Sequence, residues 1–286
     1  MKVSGRINVW RQRWDNRKKI VSDLYDAYYD APPSSDKTEV AARDHLRGVF
    51  AENRERVFFS RQLEVQNENE YFHWITNRAI HDLEAEGSIN SEWRKLSTGT
   101  SIKLVWHRSY RFYKRSANQL VALVEEYSAP NIGGSLGLHG ETMVLEGFAR
   151  SQFLMIGRDT SEYHDRKWIE SKHNLDFVFE RDGRVYGVEV KNTLGYMDRE
   201  EFLLKIRLCK HIGITPVFVC RFLPKTWIFE LKELGGFSLI LKYQLYPWTH
   251  KALAKRVKEG LGLPVDAPRF LYEGTMNRFL KWHKRL

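Results

Sequence analysis

Residues Asn174–Asn192 read NLDFVFERDGRVYGVEVKN, and this stretch decides the fold of the second half of the chain. Leu175–Glu180 is rich in strand-forming residues, and Arg184–Lys191 alternates between polar and apolar ones. Between them stands Asp182-Gly183, a dipeptide suited to the two positive-φ positions of a tight hairpin turn. Two antiparallel strands are predicted. Because successive side chains on a strand point to opposite faces, Asp176, Val178 and Glu180 share one face of the first strand. On the second strand Val185, Gly187, Glu189 and Lys191 share a face, while Tyr186, Val188 and Val190 point the other way. The hairpin brings Asp176 towards Glu189 and Lys191, so two carboxylates and an amine converge on one point.

The flanking sequence extends this unit in both directions. Asp198, with Glu201 three residues later, has the spacing of a helix start. Phe202, Ile206 and Cys209 give that helix an apolar stripe, and Gly213 ends it. Thr215–Arg221 is a short apolar run suited to a buried strand. Before the hairpin, Gly140–Gln152 is predicted as a helix bearing two acids. Glu141 has Val144, Leu145 and Phe148 at +3, +4 and +7, at the edge of a buried stripe. Glu146 has only Ala149 and Phe153 on such a stripe, so Glu141 is the preferred inward carboxylate.

An acid on one strand, then Glu189-Val190-Lys191 on its partner, then a helix and a strand, resembles the PD-(D/E)XK nuclease superfamily with its restriction-endonuclease-like fold. The likeness covers roughly residues 138–230. Leu175 stands where the family's name has Pro. The chain has four acid-x-Lys triplets, beginning at Asp165, Glu170, Glu189 and Glu230. Only the one at Glu189 has an acid-bearing strand before it and a hairpin turn between. The resemblance implies an α/β core with a mixed central sheet, and Mg²⁺ (or Mn²⁺) as cofactor. It assigns Asp176, Glu189 and the main-chain carbonyl of Val190 to the metal. Lys191 would orient or deprotonate the attacking water, and Glu141 would bind a second metal or a metal-bound water. Lys205, on the following helix, is the family's usual long polar residue reaching the site. Products would carry a 5′-phosphate and a 3′-hydroxyl.

The N-terminal half has a different pattern. Thr38–Ala51 is predicted as a helix, and Asn69–Glu86 as a second one with Phe72, Ile75, Ala79 and Leu83 on one face and Gly87 ending it. Two strands follow, Glu92–Leu96 and Ile102–Trp106, joined by Ser-Thr-Gly-Thr-Ser. A helix ending in a basic β-ribbon resembles a winged-helix domain, over residues 38–115. That resemblance implies a helix in the major groove, with His73, Asn77, Arg78 and His81 on its outer face. Arg and Asn can pair with guanine and adenine edges respectively, and Arg94, Lys95 and Lys103 would neutralise phosphates. An ordinary exposed amphipathic helix, or a protein-binding one, accounts for the same pattern.

Charge points towards a polyanion. The 286 residues carry a formal net charge of +10, and three segments supply more than all of it. Residues 1–20 hold 7 Lys/Arg against 1 acid, 88–118 hold 7 against 1, and 249–286 hold 9 against 3. The remainder, which includes the Asp176–Glu189 hairpin, is net acidic. Such patches are the electrostatic footprint of nucleic-acid binding, although charge runs are also ordinary solvated faces.

Pro, Gly, Ser and Asn in residues 128–137 predict a linker, giving a DNA-binding domain over 1–127 and a catalytic domain over 138–286. Residues 30–36 read as a loop. Thr249–Glu259 and Thr275–Arg285 are predicted as amphipathic helices of a C-terminal extension. Cys209 and Cys220 sit on apolar elements as buried thiols, which excludes a disulfide framework, and His139 and His173 read as hydrogen-bonded structural groups. No apolar run is long enough to span a membrane and no secretory signal is visible, so a cytoplasmic protein is expected. The expected partner is duplex DNA. Enzymes of this fold often dimerise, but the sequence marks no dimer surface. The alternatives are a regulator that binds DNA without cutting, and a nuclease acting on branched or single-stranded nucleic acid.

Overall fold

A computed structural model describes residues 36–286, so the basic segment 1–20 and most of the loop at 30–36 lie outside the described residues. The chain is mixed α/β and divides into two compact units. The first takes residues 36–94 and 102–117, the second 95–101 and 118–286.

In the first unit, Asp36 caps helix α1 (Lys37–Glu52) by accepting from the backbone N–H groups of Thr38 and Glu39. Strand β1 (Val57–Phe59), helix α2 (Ser60–Asn67), helix α3 (His73–Ala85), and strands β2 (Ile89–Lys95) and β3 (Ser101–His107) follow. The strands form a sheet in the order β1-β3-β2. Ala42, Leu46 and Phe50, four residues apart on α1, pack against Ala79, Ile80 and Leu83 of α3 and against Phe58 and Val105 of the sheet. β1 and α2 are absent from the sequence expectation. α2 is too short and polar to show a helical period, and its buried Gln62 and Glu64 read as surface residues.

Helix α4 (Lys114–Ser128) leads into the second unit, where α5 spans Pro130–Arg150. The linker expected at 128–137 is therefore helical for most of its length. Pro130 sits at the helix start, where its missing N–H costs nothing. Burial of Ile132 and Leu136 offsets the poor helix propensity of Gly133, Gly134 and Gly137. The change of unit falls near residues 94–118 instead.

The remaining elements are β4 (Leu154–Thr160), the small hairpin β5 (Glu162–Tyr163) and β6 (Arg166–Lys167), β7 (Leu175–Arg181), β8 (Arg184–Lys191), α6 (Arg199–Ile212), β9 (Thr215–Cys220), α7 (Lys225–Glu233), β10 (Phe237–Ile240), β11 (Gln244–Leu245), α8 (Lys251–Leu261), β12 (Val265–Asp266) and α9 (Glu273–His283). Five of them form a mixed sheet in the order β10-β9-β8-β7-β4. β4, β7 and β8 are antiparallel neighbours, while β8, β9 and β10 run parallel. Asp182 and Gly183 both have positive φ, as the hairpin between β7 and β8 requires. Gly213 ends α6 in the left-handed region.

The faces divide as the alternation predicts. Phe177, Phe179, Tyr186, Val188 and Val190 pack under α5 and α9 around Phe148 and Phe279. The opposite face lies under α6, whose Leu208, Cys209 and Ile212 meet Val178, and whose Phe202 and Ile206 meet Phe218. Both cysteines are free and buried, and burial pushes the Cys220 thiol up to about 12. No helix among the described residues is long and apolar enough to cross a membrane.

Candidate active site

The hairpin ladder of β7 and β8 runs from the Phe177–Val188 pair to the turn, and the strand ends beyond it carry the polar residues. There Oδ2 of Asp176 accepts from the backbone N–H of Val190 at 2.6 Å. Burial pushes the Asp176 carboxyl up to about 7. The charges of Glu189 and Glu141 add to the rise, while the Val190 N–H and Lys205 oppose it. The ionised aspartate is thus disfavoured first by loss of water and then by like charge, which its neighbours do not fully cancel.

Glu189, only 2% exposed, has both carboxylate oxygens engaged by lysines. Oε2 lies 2.5 Å from Nζ of Lys205, and Oε1 lies 3.1 Å from Nζ of Lys191. Lys205 is itself 4% exposed and also donates to the Asn174 carbonyl. Lys191 reaches further, to Oε1 of Glu201 at 2.7 Å. Burial works to lower the Lys191 ammonium, but the Glu189 and Glu201 carboxylates outweigh it and hold its pKa above the usual lysine value. Lys191 is therefore a fixed cation at neutral pH.

Helix α6 supplies Glu201 and Lys205, one turn apart, because Asp198 caps its start by accepting from the N–H groups of Glu200 and Glu201. The sequence expectation read Glu201 only as part of the cap. Its second role, the pairing with Lys191, is a contact between α6 and β8 that no local spacing marks.

Helix α5 brings the other carboxylate. Glu141 reaches Arg158 of β4 with a 3.4 Å contact, and its charge acts on Asp176. Glu146 pairs with Arg150 at 2.9 Å. The approach of α5 depends on Gly140, where a Cβ would stand 2.4 Å from Cβ of Asn192. Asn192, buried next to Lys191, donates to the Leu136 carbonyl at 2.8 Å and the Leu245 carbonyl at 2.7 Å. It also accepts from Leu245 N at 2.7 Å, tying the end of β8 to α5 and β11. Nothing in the sequence expectation pointed to Asn192.

Asp176 and Glu189 are hard oxygen donors of the kind a divalent cation takes, and burial together with the Glu189 charge makes ionising Asp176 costly, a cost that such an ion would offset. Val190 follows Glu189 on β8, with its N–H on Asp176. Among the described residues no group of three or more His, Cys, Asp or Glu side chains is gathered so as to hold a metal ion. The lysines on Glu189 provide its counter-charge instead. The donor chemistry fits a divalent cation, and an ion there would compete with Lys191 and Lys205 for the same two oxygens.

In the first unit the residues expected to read bases are tied inward. Arg78, its side chain 13% exposed, has Nε 3.2 Å from Oε2 of Glu39, and Asn77 donates to Oε1 of Glu64 at 2.7 Å. Arg78, Asp82 and Glu86 form one row along the α3 end of the unit. They face Glu39, Arg43 and Arg47 of α1, with Arg43 3.6 Å from Asp82 and 3.5 Å from Glu86. The polar side of α3 is thus a helix–helix contact rather than an open face, a correction to the expectation for Asn77 and Arg78. The reason is the matching four-residue spacing of opposite charges on two distant helices. Lys103 is likewise buried against Glu84, and Arg94 pairs with Glu92. His73 and His81 are half-buried, which lowers both imidazole pKa values. Lys95 remains exposed, as do Trp74, Arg108 and Arg111.

No family model matches the chain, and no curated protein matches it. A solved structure, Pex from Synechococcus sp. (strain PCC 7942), is similar over 37% of this chain and 96% of its own at 20% identity. The TM-score of that superposition is 0.22.

Proposed function

We propose that the chain is a divalent-metal-dependent nuclease that hydrolyses DNA phosphodiester bonds, with the first unit a winged-helix module that positions the duplex. The observation that carries this reading is the cluster at the open end of β7 and β8. Asp176, Glu189 and Lys191 stand on one face beyond the last ladder pair, with Asp176 bound to Val190 N–H and raised to about 7. The order α5, β4, β7, β8, α6, β9, with β8 and β9 parallel, supports a restriction-endonuclease-like core. For the first unit, support comes from the order α1, β1, α2, α3, β2, β3 with its β1-β3-β2 sheet.

In this reading Asp176, Glu189 and the Val190 carbonyl would hold Mg²⁺ or Mn²⁺, with Glu141 behind Asp176. A divalent cation there would make bound water a better nucleophile and offset charge on the phosphoryl group. Lys191 then acts as a permanent cation. Kept protonated by Glu189 and Glu201, it donates to a phosphate oxygen or to the attacking water and stabilises developing negative charge. Glu201 positions that ammonium, and Lys205 orients the Glu189 carboxylate through its buried contact.

A second reading, a DNA-binding protein that does not cut, is favoured by one observation. Both oxygens of Glu189 are already neutralised by lysines. The test is incubation of plasmid, branched and single-stranded DNA with Mg²⁺ or Mn²⁺, comparing wild type with Asp176→Ala and Lys191→Ala. The nuclease reading expects cleavage by wild type alone. Binding without cleavage of any substrate would leave the second reading.

A further inference from the structure

The end of β8 that carries Lys191 also organises an exposed aromatic. Asn192 holds Leu245 through both its backbone N–H and its carbonyl, at 2.7 Å each. Three residues later, within about 11 Å of Leu245 at full extension, Trp248 opens a short 3₁₀ turn, Trp248–His250, with its side chain 74% exposed. Exposure of a tryptophan to that degree leaves a large rigid apolar face in water.

Helix α8 starts immediately after this turn. Its inner side is Leu253, Ala254, Val257 and Leu261, all buried. Lys251, Lys255 and Lys258 lie three or four residues apart on the opposite side, all exposed. Lys255 has a carboxylate near it only at 3.9 Å, from Glu259, and Lys258 lies over the Tyr243 ring at 5.2 Å. The stripe covers roughly 10 Å of helix, enough for two successive phosphates of an extended strand.

We propose that Trp248 is a stacking platform for an unpaired base, and that Lys251, Lys255 and Lys258 track the backbone of the same single strand. In naming a single-stranded segment of the substrate, this rests on the nuclease reading, because Trp248 follows Leu245, which Asn192 ties to the end of β8. The partner follows from chemistry. A flat aromatic binds any base by its π-face, and a row of ammonium groups binds the phosphates without regard to sequence. In an intact duplex the bases are stacked on one another and closed to an indole.

The test is fluorescence anisotropy of a labelled oligothymidine and of a labelled duplex, titrated with the full chain in EDTA so that no cutting occurs. Trp248→Ala is expected to weaken single-strand binding at least 10-fold and to change duplex binding less than 2-fold, while Trp248→Tyr retains most of the affinity. Lys251→Ala/Lys255→Ala/Lys258→Ala is expected to weaken both and to flatten the salt dependence. Wild-type single-strand affinity in Trp248→Ala, equal losses for both ligands, or no single-strand binding by wild type would each overturn the proposal. Because the readout is binding without metal, it separates from the nuclease reading. An inactive protein that shows the Trp248 loss keeps the platform and loses the catalysis, and an active one without that loss does the reverse.

Discussion

Nζ of Lys205 lies 2.5 Å from Oε2 of Glu189, both side chains almost wholly buried and carried by different elements, α6 and β8. Breaking a buried pair strips the surviving charge of part of its compensation, here leaving Oε2 of Glu189 buried without a partner while Lys191 holds Oε1, and this costs more than the pair itself contributes. Lys205→Met is therefore expected to lower unfolding free energy by roughly 3 kcal/mol or more. Lys205→Met combined with Glu189→Gln should recover much of that loss. Denaturant titration of the three proteins decides it. A single mutant as stable as wild type would mean that Lys191, 3.1 Å from the other oxygen, suffices alone as the counter-charge of Glu189.

Asp176 predicts a pH dependence. Its folded pKa, about 7, lies above the unfolded value of about 4. Below the unfolded pKa both states are protonated and the site costs nothing. As pH rises from about 4 to 7 the folded state holds its proton longer than the unfolded one, so stability falls across that window. Above it the full penalty remains, about 4 kcal/mol as an upper bound. Asp176→Asn should be increasingly more stable than wild type from pH 4 to 7.5 in EDTA. Parallel stability profiles for the two proteins would contradict this.

Gly140 is the contact by which α5 approaches the site. A methyl group there would meet Cβ of Asn192, which is fixed by three hydrogen bonds and cannot swing aside. Gly140→Ala should cost about 1–3 kcal/mol by overpacking, despite alanine's better helix propensity. If thermal unfolding instead showed a gain, α5 would have room that the structure does not give it.

Arg78 is bound to Glu39 rather than presented outward. Arg78→Ala should destabilise the first unit by roughly 1–3 kcal/mol, the usual result of leaving a buried partner unpaired. DNA affinity, measured where the variant is fully folded, should change less than 2-fold. A larger and base-dependent loss would return Arg78 to the interface.

The hairpin and its three polar residues were legible because strand alternation and Asp-Gly turn chemistry are local. The cap at Asp198 and the stop at Gly213 were legible for the same reason. The helix through residues 130–137 was not, since its glycines mask a helix stabilised by tertiary burial of Ile132 and Leu136. Nor were the partners of Arg78 and Asn77, or the pairing of Lys191 with Glu201, which depend on which helix packs where. His283 is a further case. Its ring bridges Tyr186 at 2.6 Å and Asp182 at 2.9 Å from about a hundred residues away, holding the hairpin turn at the far end from the site.

In the proposed nuclease, Asp176, Glu189 and Lys191 together cut a phosphodiester with the help of a divalent ion. Single-turnover cleavage of an end-labelled oligonucleotide in Mg²⁺, by wild type and Lys191→Ala at saturating enzyme, tests it most directly. The account predicts cleavage by wild type and a rate about 10²–10⁴-fold lower for the variant, with DNA affinity little changed. Cleavage at the same rate by both proteins, or by neither on any duplex, branched or single-stranded substrate, would contradict it.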